Sequence, residues 1–275
     1  MRISKCCLGL AGALCLLLAV VPVQSADGAQ PGYEPVTGQE GKDVVWVPTP
    51  PVTVEKMLDL AKLKPGDFVM DLGSGDGRNI IAAAKRGARA VGVEFNSDMV
   101  DYATRSAEKA GVANRAKFVQ GDMFTADISQ ATVLALFLLP DNLSKLAPRF
   151  MELRSGTRIV VNTFGIPGWE ADETARAEDD CGAWCLALLY LVPARVEGTW
   201  RLGQGELELE QKYQQFSGTL TINGVSKPIS RGKLKGEQIT FTADNVDYTG
   251  RVQGDRMEGR ATGRMAGAWS ASRGQ

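Results

Sequence analysis

Apolar and polar positions along the chain fall into two regimes that meet near Val196. Ahead of it, near-continuous apolar runs alternate with segments whose apolar residues recur every three or four positions. Such a pattern predicts strands buried on both faces and separated by amphipathic helices. Val54, Met57, Leu58 and Ala61 share one helical face, with Thr53 placed to cap it, and Lys64-Pro65-Gly66-Asp67 turns the chain into a strand at Phe68–Met70. A helix from about Arg78 to Lys85 buries Ile80, Ile81, Ala83 and Ala84 and stops at Gly87. The strand Ala90–Val93 follows and ends at Glu94. Next come a helix over Ser97–Ala110 and a strand over Lys117–Val119. Thr132–Leu139 reads as a central parallel strand, Asn142–Leu153 as a helix and Arg158–Phe164 as a strand. Leu186–Val192 is a further strand, paired antiparallel with one near Asp172–Ala177.

Behind Val196 helical spacing disappears. Short alternating runs (Leu207–Gln211, Gly218–Ile222, Gly232–Leu234, Gln238–Thr242, Tyr248–Val252, Met257–Ala261) are separated by Gly or Asn, as at Asn223-Gly224 and Gly254-Asp255. Gly198-Thr199-Trp200 opens the series and Ala268-Trp269-Ser270 closes it. This is the signature of an antiparallel meander, and a closed barrel is the arrangement that leaves no exposed edges. In pattern it resembles the small lipocalin- or avidin-like barrels.

Residues 1–25 have the pattern of a cleavable signal peptide: Arg2 and Lys5, an apolar Leu8–Val21, and small residues at Val23-Gln24-Ser25. The apolar run is short for a membrane span, so the expectation is a periplasmic or secreted protein with no stable span after cleavage. Residues 26–45, rich in Gly, Pro, Gln and Glu, read as a linker. The expected units are then an α/β domain over 46–193 and a β-barrel over 194–275.

Composition narrows the chemistry. With 275 residues, 31 Lys and Arg against 32 Asp and Glu, the chain has room for one or two cores and no electrostatic footprint for nucleic acid. It has no histidine, which excludes histidine-based triads and His-ligated metals; no metal site is expected. Of five cysteines, three belong to the signal segment. Cys181 and Cys185 remain, and in an exported chain such a pair favours a disulfide over two buried thiols.

The chemistry centres on Val69–Asn79, VMDLGSGDGRN. An acid, Asp71, ends the first strand. Gly73, Gly75 and Gly77 then allow positive φ and let a ligand lie against bare backbone, with Ser74 between them. A dinucleotide fingerprint, G-x-G-x-x-G, wants its third glycine where Arg78 stands. Glu94 lies one helix and one strand further on, the interval at which an acid meets ribose hydroxyls. Asp122, followed by Met123 and Phe124, could accept from an adenine amino group. Leu139 and Pro140 end the central strand, where a transferred group would sit.

This stretch resembles motif I of the class I, seven-strand S-adenosylmethionine-dependent methyltransferases, which implies a Rossmann-like α/β sheet. VPTP at 47–50, DLGSGDGR at 71–78, GVE at 92–94, FLLP at 137–140 and GTRIVVNTF at 156–164 occur together. That combination resembles the bacterial relatives of the mitochondrial lysine methyltransferases of ATP synthase c-subunit and adenine nucleotide translocase. The resemblance implies S-adenosyl-L-methionine as cofactor. It puts Asp71, Gly73, Gly75 and Gly77 at its methionine end, Glu94 at the ribose, Asp122 at the adenine, and Thr49 closing over it. Leu139 and Pro140 would line the acceptor channel. No catalytic side chain is assigned, and the acceptor stays open, with protein lysine the class the resemblance implies. The competing reading is a non-catalytic periplasmic binding protein that uses the α/β pocket or the barrel.

Overall fold

The computed structural model describes residues 32–273. The signal segment and the first residues of the expected linker lie outside them. Seven strands form one sheet: β1 (Phe68–Leu72), β2 (Arg89–Glu94), β3 (Ala116–Gln120), β4 (Val133–Leu136), β5 (Arg158–Asn162), β6 (Glu173–Arg176) and β7 (Leu186–Leu191). Their order is β3-β2-β1-β4-β5-β7-β6. The first five are parallel, and β7 runs antiparallel between β5 and β6. Helices α2 (Arg78–Lys85), α3 (Ser97–Lys109) and α4 (Pro140–Phe150) make crossovers, and α1 (Pro51–Leu60) packs on β5, β6 and β7. Buried Val, Leu and Ala fill both faces of β1, β4 and β5. The strand order reverses between β1 and β4, the point at which sheets of this kind open a crevice beyond the strand carboxyl ends.

Proline sets two helix starts differently from the sequence expectation. Helix α1 begins at Pro51, with Pro50 as its N-cap, so Thr53 is not a cap. Thr53 is buried instead, and its hydroxyl donates to the carbonyl oxygen of Trp184 at 2.8 Å. Helix α4 begins at Pro140 rather than Asn142, and β4 stops at Leu136. Proline suits the first helical position because its φ is already helical and its missing N–H had no partner to lose.

The second regime forms a closed antiparallel barrel of β8 (Gly198–Leu202), β9 (Gly205–Lys212), β10 (Gln215–Ile222), β11 (Val225–Lys235), β12 (Gln238–Ala243), β13 (Val246–Gln253), β14 (Arg256–Gly263) and β15 (Gly267–Arg273). Ser272 and Arg273 pair with Arg201 and Trp200 to close it. Its interior is packed with Trp200, Leu207, Phe216, Phe241, Tyr248, Met257 and Trp269. A barrel of this strand number is just wide enough for side chains to fill. Gly250 faces Gly259 across the β13–β14 ladder where the strands approach closely: a Cβ on Gly250 would stand 2.5 Å from the Glu258 carbonyl oxygen and 2.8 Å from the Trp269 indole, and one on Gly259 would stand 1.9 Å from the Thr249 carbonyl oxygen. The Trp269 N–H donates to the Thr249 carbonyl at 3.0 Å.

Polar ties hold the barrel to the sheet. Ala194 N–H donates to the Gly236 carbonyl at 2.9 Å, Gln214 Nε2 donates to the Glu170 carbonyl at 2.7 Å, and Lys235 pairs with Glu173 at 3.2 Å. Among the described residues no helix is long and apolar enough to cross a membrane.

Candidate active site

A cavity of about 290 Å³ opens at the carboxyl ends of β1, β2, β4 and β5. Asp71, Gly73 and Ser74 line it from the β1 loop, Glu94 from the end of β2, and Asp122 and Met123 from beyond β3. Leu139 lines it after β4, whereas Pro140, as the first residue of α4, does not.

Asp71 is buried. Asn79 Nδ2 donates to its Oδ2 at 2.9 Å, and its Oδ1 has no partner. Burial pushes this carboxyl well above the usual carboxylate range; the Asn79 hydrogen bond opposes the shift, and the charges of Glu94 and Asp76 add to it. Ser74 Oγ is likewise buried without a partner. Glu94 accepts from the backbone N–H of Gly75 and of Asn96, each at 3.0 Å, which fixes its carboxylate at the rim.

The three motif glycines divide in role. Gly73 lines the cavity at φ +76°. Gly75 and Gly77 lie outside the lining. A Cβ on Gly75 would stand 2.3 Å from Trp46 Nε1, and one on Gly77 would stand 2.5 Å from the Phe118 ring and 2.9 Å from Ala103. Gly77 therefore serves packing of α2 against the sheet and α3, and Gly75 serves closure of Trp46 over the loop.

Residues 39–49 form a strap across the opening. Its base is pinned by Gly38 N–H to Trp46 O (2.8 Å) and Trp46 N–H to Gln39 O (2.9 Å). Lys42 Nζ reaches Asp122 at 2.7 Å and lies 4.7 Å from the centre of the Phe95 ring. The hydrogen bond from Lys42, joined by one from the Phe124 N–H, holds Asp122 below the usual carboxylate range. Thr49 is buried, and its carbonyl accepts from Arg78 Nη1 at 2.7 Å while Asp76 holds the same guanidinium. Residues 39–45, expected as linker, are thus part of the cavity wall. Their sequence carries no period because their partners lie across an opening rather than along an element.

Aromatic residues missed at the sequence level complete the wall. Phe137, Phe164 and Trp184 all line the cavity, Trp184 standing 5.3 Å and 5.8 Å from the two phenyl centres. Trp184 lies in the loop closed by a disulfide between Cys181 and Cys185.

The donor set fits an amphoteric nucleoside ligand. Three buried oxygens of the lining without partners, Asp71 Oδ1, Ser74 Oγ and Asn79 Oδ1, can accept from a cationic or hydroxyl donor. A carboxylate with about four acceptor sites also leaves Glu94 free for further hydroxyls beyond its two backbone bonds.

Comparison with known proteins identifies that ligand class. The ANTKMT methyltransferase domain matches residues 71–173. A protein-lysine N-methyltransferase of Saccharolobus islandicus is 46% identical over 139 residues, covering 50% of this chain and 86% of its own length. The ATP synthase c-subunit lysine N-methyltransferase of Mus musculus is 36% identical over 130 residues, covering 47% of this chain and 52% of its own. A solved RNA methyltransferase from Salinibacter ruber, in complex with S-adenosyl-L-homocysteine, is 43% identical with a TM-score of 0.51; the match spans 55% of this chain and 96% of that one.

Proposed function

The chain belongs to the S-adenosylmethionine-dependent methyltransferases that carry the ANTKMT methyltransferase domain, and from that premise we propose that its acceptor is a lysine amine of a protein. The observation that carries this reading is the charge of the cavity wall. Glu40, Asp43, Asp76, Glu94 and Asp122 line it against only Lys42 and Arg78, both of which are already paired with carboxylates. Such a field attracts a cationic side chain and repels a phosphodiester backbone.

In this reading Asp71 takes the α-ammonium of the cofactor on its free Oδ1, with Ser74 and the backbone at Gly73 beside it. Glu94 holds the ribose, and Asp122 and Met123 flank the adenine. The strap, with Thr49 locked by Arg78, excludes water from the covered face. The cofactor supplies a sulfonium methyl group; when an amine lone pair forms the new N–C bond, the electrons of the C–S bond stay on sulfur and the positive charge passes to nitrogen. The chain's share is alignment, which in favourable intramolecular cases is worth up to ~10 kcal/mol. Leu139 stands on the acceptor side. A lysine amine, with a free pKa of about 10.4, gives up a proton before each transfer; no side chain of the described residues is assigned as its base.

The test is transfer of a labelled methyl from S-adenosylmethionine to cell-envelope proteins and, separately, to total RNA. Label in protein that acid hydrolysis returns as methyllysine is the expected result. Label confined to RNA overturns the acceptor. We also propose that residues 1–25 export the chain, on the strength of their charge and hydropathy pattern. A mature protein beginning near Ala26 in the periplasm or medium is expected, and a cytoplasmic protein retaining Met1 counts against export.

A further inference from the structure

The three rings at the acceptor side come from different strands, two after carboxyl ends and one before an amino end, yet they converge. Phe137 follows β4, Phe164 follows β5, and Trp184 precedes β7. The two phenyl rings are 6.2 Å apart and 18° from parallel, and the indole stands at 61° to both. All three are only partly buried, so their free faces belong to the cavity rather than to the core beneath it. Apolar residues that served the core alone would be covered, as Leu138 next to Phe137 is.

Two of the rings are held by backbone devices. Thr163, just ahead of Phe164, sits at φ +60°, a conformation costly for a β-branched residue and one that turns the chain out of β5. Trp184 is tied through its N–H to the Cys181 carbonyl at 2.9 Å, and its carbonyl accepts from Thr53 at 2.8 Å. The Cys181–Cys185 bridge closes the loop that carries it, with both cysteines buried.

We propose that Phe137, Phe164 and Trp184 form the acceptor subsite, an aromatic wall that receives an alkylammonium group, and that the Cys181–Cys185 disulfide positions its third ring. The inference rests on the methyltransferase reading and deepens it. A methylated amine carries positive charge after every transfer, and the negative faces of aromatic rings attract such a cation even where no hydrogen bond can form. A wall of this kind retains mono- and dimethylated intermediates for a further round, so it favours the trimethylated product. The carboxylates elsewhere on the rim add attraction without contact.

The experiment measures binding to the full chain saturated with S-adenosylhomocysteine. The probes are N-acetyl-trimethyllysine amide and its uncharged tert-butyl isostere, which has the same shape. The expected result is a preference of at least about tenfold for the cation, the size of one good cation–π contact. Phe164→Leu and Trp184→Leu each reduce the preference at least about threefold while S-adenosylhomocysteine affinity stays within twofold of wild type, which also reports folding. Phe137→Leu serves where either variant fails to bind S-adenosylhomocysteine. The Cys181→Ser/Cys185→Ser variant keeps S-adenosylhomocysteine binding and loses the cation preference; retention of that preference removes the disulfide from the proposal. Equal binding of the two probes overturns the aromatic subsite alone. Tight binding of a short oligoribonucleotide that is lost in Trp184→Leu, with no cation preference, makes the rings a base-stacking platform instead. Failure of the wild type to bind S-adenosylhomocysteine sinks the cofactor reading and this one with it.

Discussion

The ring of Tyr213 lies on the indole of Trp169, centroids 5.0 Å apart and planes 13° from parallel. Trp169 belongs to the segment after β5 and also meets Tyr190 of β7 edge-on at 5.7 Å, while Tyr213 turns the chain from β9 to β10. An aromatic column therefore runs from the seven-strand sheet into a barrel turn. An aromatic pair contributes about 0.5–1.5 kcal/mol beyond the area it buries. Tyr213→Leu is expected to lose that amount of coupling. In differential scanning calorimetry the variant should split into separate sheet and barrel transitions, whereas wild type melts in one. A single transition in both forms argues that the polar ties suffice.

A second expectation concerns Asp71. A carboxyl whose folded pKa is raised favours the folded state below its unfolded value, and that advantage is lost as pH rises through the raised value. The cofactor-free protein should lose stability from about pH 4 upward, and Asp71→Asn should be flat over the same window and melt higher at neutral pH. The variant should bind S-adenosylmethionine about ten- to a hundredfold more weakly, as expected when a charged ligand group loses its partner. An Asp71→Asn protein less stable than wild type at neutral pH contradicts the buried-charge account.

Asp67 and Arg158 give the opposite slope. Burial works against the Asp67 carboxylate, but hydrogen bonds from Arg158, the Lys64 N–H and Thr132, with the charge of Arg158, hold it below the usual range. A lowered folded pKa adds stability above the unfolded value and gives it up as pH falls through the lowered one. Arg158 also donates to the Ala61 carbonyl at 2.9 Å, joining β5 to the end of α1. Arg158→Leu is expected to cost about 1–3 kcal/mol in neutral urea melts, the range for leaving a largely covered carboxylate without its hydrogen-bond partner, with the deficit shrinking on acidification. A deficit independent of pH points to lost packing rather than the pair.

The strap predicts a kinetic effect. Trp46 covers the Gly75 turn and Lys42 latches onto Asp122. Trp46→Ala should raise the dissociation rate of S-adenosylhomocysteine about tenfold in stopped-flow fluorescence, equivalent to ~1.4 kcal/mol, and leave the fold intact by circular dichroism. An unchanged rate shows that the strap is not the exit barrier.

Much of the architecture was legible in the sequence because it depends on local period. The apolar runs of β1, β4 and β5 and the alternation behind Val196 fix how many faces each strand buries, which separates a covered parallel sheet from an antiparallel barrel; the order of strands within the sheet is not written in that period. The failures share one cause, a partner far away in sequence. Thr53 has the chemistry of a cap, yet its hydroxyl is engaged by Trp184, 131 residues later. Gly77 has the spacing of a ligand-contacting glycine, but a bare backbone admits Phe118 as readily as a ligand. Residues 39–45 have the composition of a linker, and only the opening they cross makes them a wall. The role of Trp184 depends on Phe137 and Phe164, which no local pattern joins to it; the cysteines on either side of it are the one local sign that its loop is fixed.

The barrel seam bears on the order in which the chain matures during synthesis. β8 leaves the ribosome first among the barrel strands, yet its second neighbour, β15, arrives last, and Ser272 and Arg273 supply the pairing that joins them. The seven-strand sheet has all its strands by Leu191 and can fold while the barrel is still an open meander. Until the seam forms, β8 and β14 each present an unpaired edge, the condition under which strands recruit neighbouring chains. The risk of misassembly is therefore concentrated between the appearance of β8 and the pairing of β15, and a holding chaperone would act on the β-meander rather than on the seven-strand sheet.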